Sequence, residues 1–210
     1  MKKISGYYIQ DDDVGISAIL QRDKKYQSDI RRAAIEYCKT RILAIDAGAH
    51  VGLWSRDFCK EFQNVVLFEP NSDNYECLQA NIAAYQNWRL VQYGLGDKSS
   101  ICFLKNKGNK HLGGTKISID PTDHTCELIT LDSFPLQSKI DLIKFDIEGY
   151  EFFAIQGAIN TILKDKPIIV IEQKQTTSEY GIDRYAAKKL LLDIGAKILK
   201  TVNDDIIFGW

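Results

Sequence analysis

The sequence lacks the features that mark several whole classes of protein. No apolar run approaches the roughly 18 residues that a membrane-crossing helix needs. There is no Cys-x-x-Cys pair, no Asn-x-Ser/Thr sequon, no internal repeat and no low-complexity tract. The five cysteines (Cys38, Cys59, Cys77, Cys102 and Cys126) are odd in number and scattered, which makes a disulfide framework or a zinc site a poor reading. Buried, reduced thiols of a cytoplasmic protein are expected instead. An excess of either charge is missing too: 27 Lys and Arg stand against 28 Asp and Glu. A dedicated nucleic-acid binder or a polybasic membrane-surface protein would show surplus base, so neither partner is expected. The start, Met1 to Tyr8, is basic, but Asp11-Asp12-Asp13 follows where a signal peptide would place its apolar region.

What is present is an alternation. Short apolar, β-branched runs at 41–46 (RILAID), 65–69 (VVLFE), 89–93 (RLVQY), 141–146 (DLIKFD) and 168–172 (IIVIE) read as strands covered on both faces. Helical spacing separates them. Ile30, Ala33, Ala34 and Tyr37, opened by Ser28-Asp29, precede the first run, and Trp54, Phe58 and Phe62 follow it. Tyr75, Leu78, Ile82 and Tyr85 follow the second, with Ser72 and Asp73 placed to cap the start. Phe152, Ile155, Ile159 and Ile162 follow the fourth. Such a pattern specifies a parallel sheet with helices on both faces. The end differs: 196–202 and 206–210 flank Asn203-Asp204-Asp205 and predict an antiparallel hairpin. From Ser99 to Asp132 the helical period disappears; a strand at 101–104 leads into a Gly- and Asn-rich stretch that reads as a substrate-facing loop.

The first strand runs into Asp46-Ala47-Gly48-Ala49-His50-Val51-Gly52. Gly48 permits a sharp turn close to a ligand, and Gly52 lets the following helix pack tightly on the sheet. Asp46 ends this strand, and Glu69 ends the next, where an acid can accept hydrogen bonds from both hydroxyls of an adenosine ribose. A dinucleotide site would show three glycines around a pyrophosphate; the spacing here is G-x-x-x-G, with an anion pressed against it. That anion suits a cofactor carrying an ammonium and a sulfonium, which is S-adenosylmethionine. The plain structural alternative is an Asp capping a helix and a Glu in an ion pair. An NAD-dependent oxidoreductase is the less favoured enzyme reading, and a non-catalytic S-adenosylmethionine-binding module is the reading from another class.

Ile45-Asp46-Ala47-Gly48-Ala49-His50-Val51-Gly52 with Ser55, Phe68-Glu69-Pro70-Asn71, Leu131-Asp132, and Ile143-Lys144-Phe145-Asp146-Ile147-Glu148-Gly149-Tyr150-Glu151 with Gly157-Ala158 together resemble the FkbM-type methyltransferase family. The likeness runs from about Tyr26 to the C-terminus, and the K-x-D-x-E-G-x-E string is its most specific part. His50 stands where Asn is more usual, and Gln173 follows Glu172 where a His often does. The resemblance implies a Rossmann-like class I methyltransferase fold with a reversed last strand. It also implies S-adenosylmethionine as donor and O-methylation of a sugar or natural-product hydroxyl. Asp46, Gly48, His50, Gly52, Glu69, Pro70, Asn71, Gly96, Asp97 and Asp146 are the expected cofactor residues.

Methyl transfer to an alcohol needs the acceptor held in line and its proton removed. Ligands of open α/β sheets sit at the carboxyl ends of the strands, where Asp146, Glu148 and Glu151 crowd three acids into six residues. Asp146 and Glu148 are expected to face the methyl group and the acceptor, with Lys144 able to pair with Asp146 from the same strand face. Glu151 could instead act on the next helix through its dipole. His111 and His124 flank the polar stretch as alternative proton acceptors, His111 being carried as a catalytic candidate. No metal is expected, although an ion between Asp146 and Glu172 is conceivable. The expected organisation is an extension over 1–27 that could close over the cofactor, led by Tyr7, Tyr8 and the neighbouring acids. A single domain over 28–210 follows, with a mostly parallel seven-stranded sheet and a small-molecule or carbohydrate acceptor.

Overall fold

A computed structural model of the chain describes residues 1–22, 27–105, 115–118, 120–122, 124–173 and 175–210, with the backbone alone at 175 and 176. A hairpin of β1 (Lys2–Ile4) and β2 (Tyr7–Ile9) leads into α1 (Val14–Arg22) and α2 (Ser28–Tyr37). The alternation follows: β3 (Leu43–Ala47), α3 (Ser55–Glu61), β4 (Asn64–Phe68), α4 (Ser72–Ile82) and β5 (Trp88–Val91). Four short strands come next, β6 (Tyr93–Leu95), β7 (Ser100–Lys105), β8 (Lys116–Ser118) and β9 (Thr125–Ile129). The chain then forms β10 (Leu142–Phe145), α5 (Glu151–Gln156), α6 (Ile159–Asp165) and β11 (Ile168–Glu172). A 3₁₀ turn (Gln175–Tyr180), α7 (Ala186–Asp193), β12 (Lys197–Val202) and β13 (Asp205–Gly209) complete it. No described helix is long and apolar enough to cross a membrane.

Seven strands make the main sheet in the order β12-β13-β11-β10-β3-β4-β5. The strands β3, β4, β5, β10 and β11 run parallel, while β13 lies antiparallel to both β11 and β12. The Rossmann-like sheet with a reversed C-terminal hairpin is therefore present. Val202 pairs with Asp205 across a two-residue turn in which Asn203 takes φ 53°. Alternate residues face opposite layers, as the pleat requires. Ile45, Ile143, Phe145, Ile169, Ile171 and Phe208 pack with Ile155, Ile162 and Leu191 on one face. Ala44, Leu67, Leu142, Val170 and Ile207 pack with Ile30, Phe58, Leu78 and Ile82 on the other. After β5 the strand order reverses, so β3 is flanked by β4 and β10 and a crevice opens at its carboxyl end.

Five readings of the sequence need correction. The run at 89–93 divides between two sheets: β5 ends at Val91 and β6 begins a separate four-stranded sheet of order β6-β9-β7-β8. Besides the strand expected at 101–104, the described residues of this stretch include β8 and β9; the period in β9 is two, with Cys126 and Leu128 buried and Thr125 and Glu127 exposed. Residues 106–114, His111 among them, lie outside the described residues. The stripe from Phe152 to Ile162 belongs to two helices, broken at Gly157-Ala158. Asp132 caps the second, accepting from Asn160 N at 3.1 Å and Thr161 N at 2.8 Å. Asn71, rather than Ser72 or Asp73, caps α4, its side chain accepting from Asp73 N and Asn74 N at 3.0 Å each. Tyr37 ends α2 exposed instead of joining the core.

The break at Gly157 holds the helix layer against the sheet. A Cβ there would lie 1.9 Å from the backbone oxygen of Gly96, which cannot yield as a flexible side chain would. Gly157→Ala is expected to lower stability by about 2–3 kcal/mol, read as a lower urea midpoint at unchanged slope. A midpoint within 0.3 M of the wild type would show that the contact relaxes freely, since about 0.3 M corresponds to well under 1 kcal/mol for a domain of this kind.

Candidate active site

Register explains which side chains meet. Leu67, Asp46, Lys144, Val170 and Ile207 are cross-strand neighbours in one row on one face of the sheet. Two residues further along each strand the same face carries Glu69, Gly48, Asp146 and Glu172, and Glu172 pairs with Asp205 of β13. A row holding one ion pair is therefore overlaid by a row of acids at the carboxyl edge. The cavity there, about 520 Å³, lies within the range of small-ligand sites.

In the lower row Lys144 Nζ stands 3.0 Å from Asp46 Oδ1 and donates to Gly48 O at 2.9 Å. Ser55 Oγ donates to Asp46 Oδ2 at 2.7 Å. Burial opposes the lysine's charge, but Asp46 and then Asp146, 3.7 Å away, outweigh it and hold the ammonium above the ordinary lysine range. Asp46 is fully buried and is not among the residues bordering the cavity. The anion expected to face a cofactor's ammonium is thus matched from inside the protein, and the acid exposed to the cavity is Asp146.

Glu69 closes β4. Its carboxylate accepts from His50 N at 2.7 Å, Asn71 N at 3.0 Å and Asn74 Nδ2 at 3.5 Å. Burial pushes it up to about 7 against those hydrogen bonds. The glycine turn supplies the first donor. Gly48 takes φ 76°, and a Cβ there would lie 2.0 Å from the backbone oxygen of Asp146. His50 follows at φ 51°, and its Nε2 lies 3.8 Å from Asp13 Oδ2 of the N-terminal segment. On the other side of the crevice Glu148 takes φ 57°. The buried Glu151 carboxylate fixes that loop by accepting from Ile147 N at 2.9 Å and Gly149 N at 3.3 Å, and burial raises it to about 7. Glu151 organises the loop rather than acting only on the helix behind it. Asp146, Glu148 and Glu172 bring carboxylate oxygens within 4.8 Å of one another, a spacing a hard cation could use.

Of the expected residues, Gly48, His50, Glu69, Pro70, Asp146 and Glu148 border the cavity. Gly52 does not; it serves helix packing, a Cβ there meeting Leu78 at 2.7 Å. Asn71 acts through its cap and its N–H to Glu69. Gly94 and Leu95 border the cavity where Gly96 and Asp97 were expected, because Gly96 N bonds Ile129 O and carries the chain into the second sheet, leaving Asp97 exposed. His124 is exposed on that sheet and does not border the cavity. Tyr7 lies under Arg56, 4.5 Å from ring to guanidinium, and Tyr8 is tied to Asn81, so neither tyrosine covers the site. Gly15, Ile16 and Ile19 of α1 do border it, as do Gln27, Trp54, Lys116 and Tyr150. Sequence reasoning missed these; the apolar pair Ile16 and Ile19 just after the acids was the available signal.

Removing Lys144 would strand Asp46 in an apolar layer. Lys144→Met is expected to cost about 3–5 kcal/mol, whereas adding Asp46→Asn should restore most of it, since Ser55 still has an acceptor. Chemical denaturation of both variants checks this; a single variant as stable as the wild type would show that the pair carries no constraint.

Comparison with known proteins agrees with this fold. A hexuronic acid methyltransferase of Haloferax volcanii, AglP, is 24% identical over 215 residues, covering 99% of this chain and 87% of that protein. The structure of methyltransferase FkbM from Methylobacillus flagellatus superposes with a TM-score of 0.57 at 18% identity. That match covers 98% of this chain and 56% of the other, so this chain spans a little over half that length. The Streptococcus mutans protein SMU.1697c, in complex with SAH, superposes with a TM-score of 0.54 at 10% identity over 87% of this chain and 96% of that one. At such identities the two structures speak for the fold. The family model described as the methyltransferase FkbM domain matches residues 46–194, well over half of the sequence, and the chain belongs to the FkbM methyltransferase family.

Proposed function

We propose that this methyltransferase uses S-adenosylmethionine to O-methylate a hydroxyl of a sugar, glycan or similar small polyol. The observation that carries the reading is the carboxylate row, with Glu69 at one end of the cavity and Asp146 and Glu148 at its middle. An ionised carboxylate has about four acceptor sites. The protein donates three hydrogen bonds to Glu69, which leaves capacity toward the cavity for a ribose hydroxyl. Gly48 and Asp146 stand next along the row and would flank the 5′ substituent of a ribose held there. The negative edge suits a cationic sulfonium and ammonium, and the Haloferax relative, named for a hexuronic acid, supports a carbohydrate acceptor. In this reading 1–27 encloses the cofactor and 28–210 forms a single catalytic domain, which the place of Gly15, Ile16 and Ile19 of α1 on the cavity wall supports. Five free cysteines fit a reducing cytoplasm.

When bound, S-adenosylmethionine supplies a methyl group already activated by a positive sulfur. The chain's part is placement and proton removal. Lys144 sets a positive charge 3.7 Å from Asp146 at the cationic end of the site. Glu148, on a loop fixed by Glu151, would take the proton of the acceptor hydroxyl. Ile16, Ile19 and Trp54 exclude water from that space.

Mass spectrometry of a glucuronide and glucoside panel incubated with S-adenosylmethionine should show a gain of one methyl. Glu148→Gln should lower kcat about 10²–10⁴-fold while SAH affinity stays within about twofold. Glu69→Ala should weaken SAH at least tenfold, as loss of a charged hydrogen-bond acceptor does. Wild-type turnover in Glu148→Gln would move the base elsewhere. Tight SAH binding without methyl transfer to any hydroxyl would favour the non-catalytic module.

A further inference from the structure

Among the described residues, six other than glycine adopt positive φ: Ser5, Gln27, His50, Glu148, Lys166 and Asn203. Ser5 and Asn203 turn hairpins, and Lys166 ends α6. The remaining three, Gln27, His50 and Glu148, all border the one cavity. His50 and Glu148 have roles there through Glu69 and the acceptor. Gln27 is the unexplained member. It precedes α2 with φ 51° and ψ 16°, and its side chain makes no capping bond to the helix. Left-handed backbone at a residue that gains no cap is a conformation that the surroundings must impose.

Those surroundings orient the carboxamide. Trp54 Nε1 donates to Gln27 Oε1 at 2.7 Å, which fixes which end is oxygen. The amide nitrogen is thereby turned toward the acid row, and Gln27 Nε2 lies 3.4 Å from Asp205 Oδ2. Asp205 stands on β13, opposite Glu172. From Glu69 on β4 to Asp205 on β13 is four strand steps, roughly 19 Å at about 4.8 Å each. A nucleoside anchored at Glu69 brings its 5′ substituent over Asp146, about two steps along. Gln27 therefore belongs to the far half of the row, past the point where the methyl group would be presented. An amide nitrogen carries two N–H donors, and the long contact to Asp205 engages one of them only weakly.

We propose that Gln27 is an acceptor-binding residue, its side-chain N–H donating to a sugar oxygen next to the hydroxyl that is methylated. This rests on the cofactor placement at Glu69 argued above. A donor in this position complements the acids around it. Glu148 accepts the reacting hydroxyl's proton, while Gln27 supplies the hydrogen bond that the acids cannot give to a neighbouring oxygen. It selects acceptors with an oxygen on the adjacent carbon, as in a vicinal diol, over deoxy analogues.

The test uses the full chain saturated with SAH, titrated with methyl β-D-glucopyranoside and methyl β-D-glucopyranosiduronate by saturation-transfer NMR and calorimetry. Gln27→Glu keeps an oxygen for Trp54 and removes the donor. It should weaken the better-bound glycoside about tenfold with SAH affinity within twofold of wild type. Gln27→Met, shown by thermal unfolding to be folded, should reproduce that loss. Wild-type glycoside affinity in both variants overturns the proposal, as does an equal loss of SAH affinity, which would make Gln27 a cofactor-wall residue. SAH-loaded wild type that binds neither glycoside also overturns it. Failure of the wild type to bind SAH removes the cofactor reading itself and is recognised before any glycoside is added.

Discussion

Burying a carboxylate in an apolar layer is prohibitive unless a countercharge meets it at contact distance, and the site is arranged around one such meeting. Asp46 and Lys144 are register partners on adjacent parallel strands, flanked by Leu67 and Val170 in the same row. Their pairing fixes the stagger of β3 against β10, because a slip of one residue would send both charges to opposite faces. The same ammonium binds the carbonyl of Gly48 and reaches Asp146. One group therefore neutralises the layer beneath the site, holds the glycine turn and places a positive charge beside the acid that borders the cavity.

The acids that the main sheet turns toward the cavity stand one pleat above that pair. Glu69, Asp146 and Glu172 share the face because each lies two residues beyond the lower row, and both lysines bordering the cavity, Lys144 and Lys116, are already engaged with acids. The walls come from segments outside the strand-helix alternation: α1 on one side, the four-stranded sheet on the other. Lys116 on β8 pairs with Glu179 of the 3₁₀ turn, and Tyr180 Oη donates to Ile117 O at 2.8 Å, joining that sheet to the segment after β11. The site is built from three separate parts of the chain brought together by the main sheet.

The main sheet was readable because β3, β4, β10 and β11 are covered on both faces and so carry unbroken apolar runs. The hairpin was readable from its turn residues. The small sheet was not, since three- to six-residue strands with one exposed face leave too few alternations to register. Glu69 was legible as the acid at the end of the second parallel strand, and it borders the cavity. Asp46 was assigned to the ligand because a single strand shows which residue ends it but not which residue lies beside it; the partner, Lys144, is 98 positions away. The same limit hid Gln27, whose role depends on Trp54 and Asp205, neither near it in sequence.

Glu69 is the point at which the account is most exposed to measurement. Its raised position, about 7, means that the carboxylate form costs the empty protein stability as pH rises from about 4.5 through 7. A ligand that donates hydrogen bonds to it must bind the ionised form. Calorimetric titration of SAH from pH 5.5 to 8.5, on the wild type and Glu69→Gln, measures this directly. The account predicts affinity that is level near pH 8, falls toward tenfold per unit below about 7, and is weak and nearly flat in Glu69→Gln. Equal affinity across the range in the wild type, or the same slope surviving in Glu69→Gln, would contradict it.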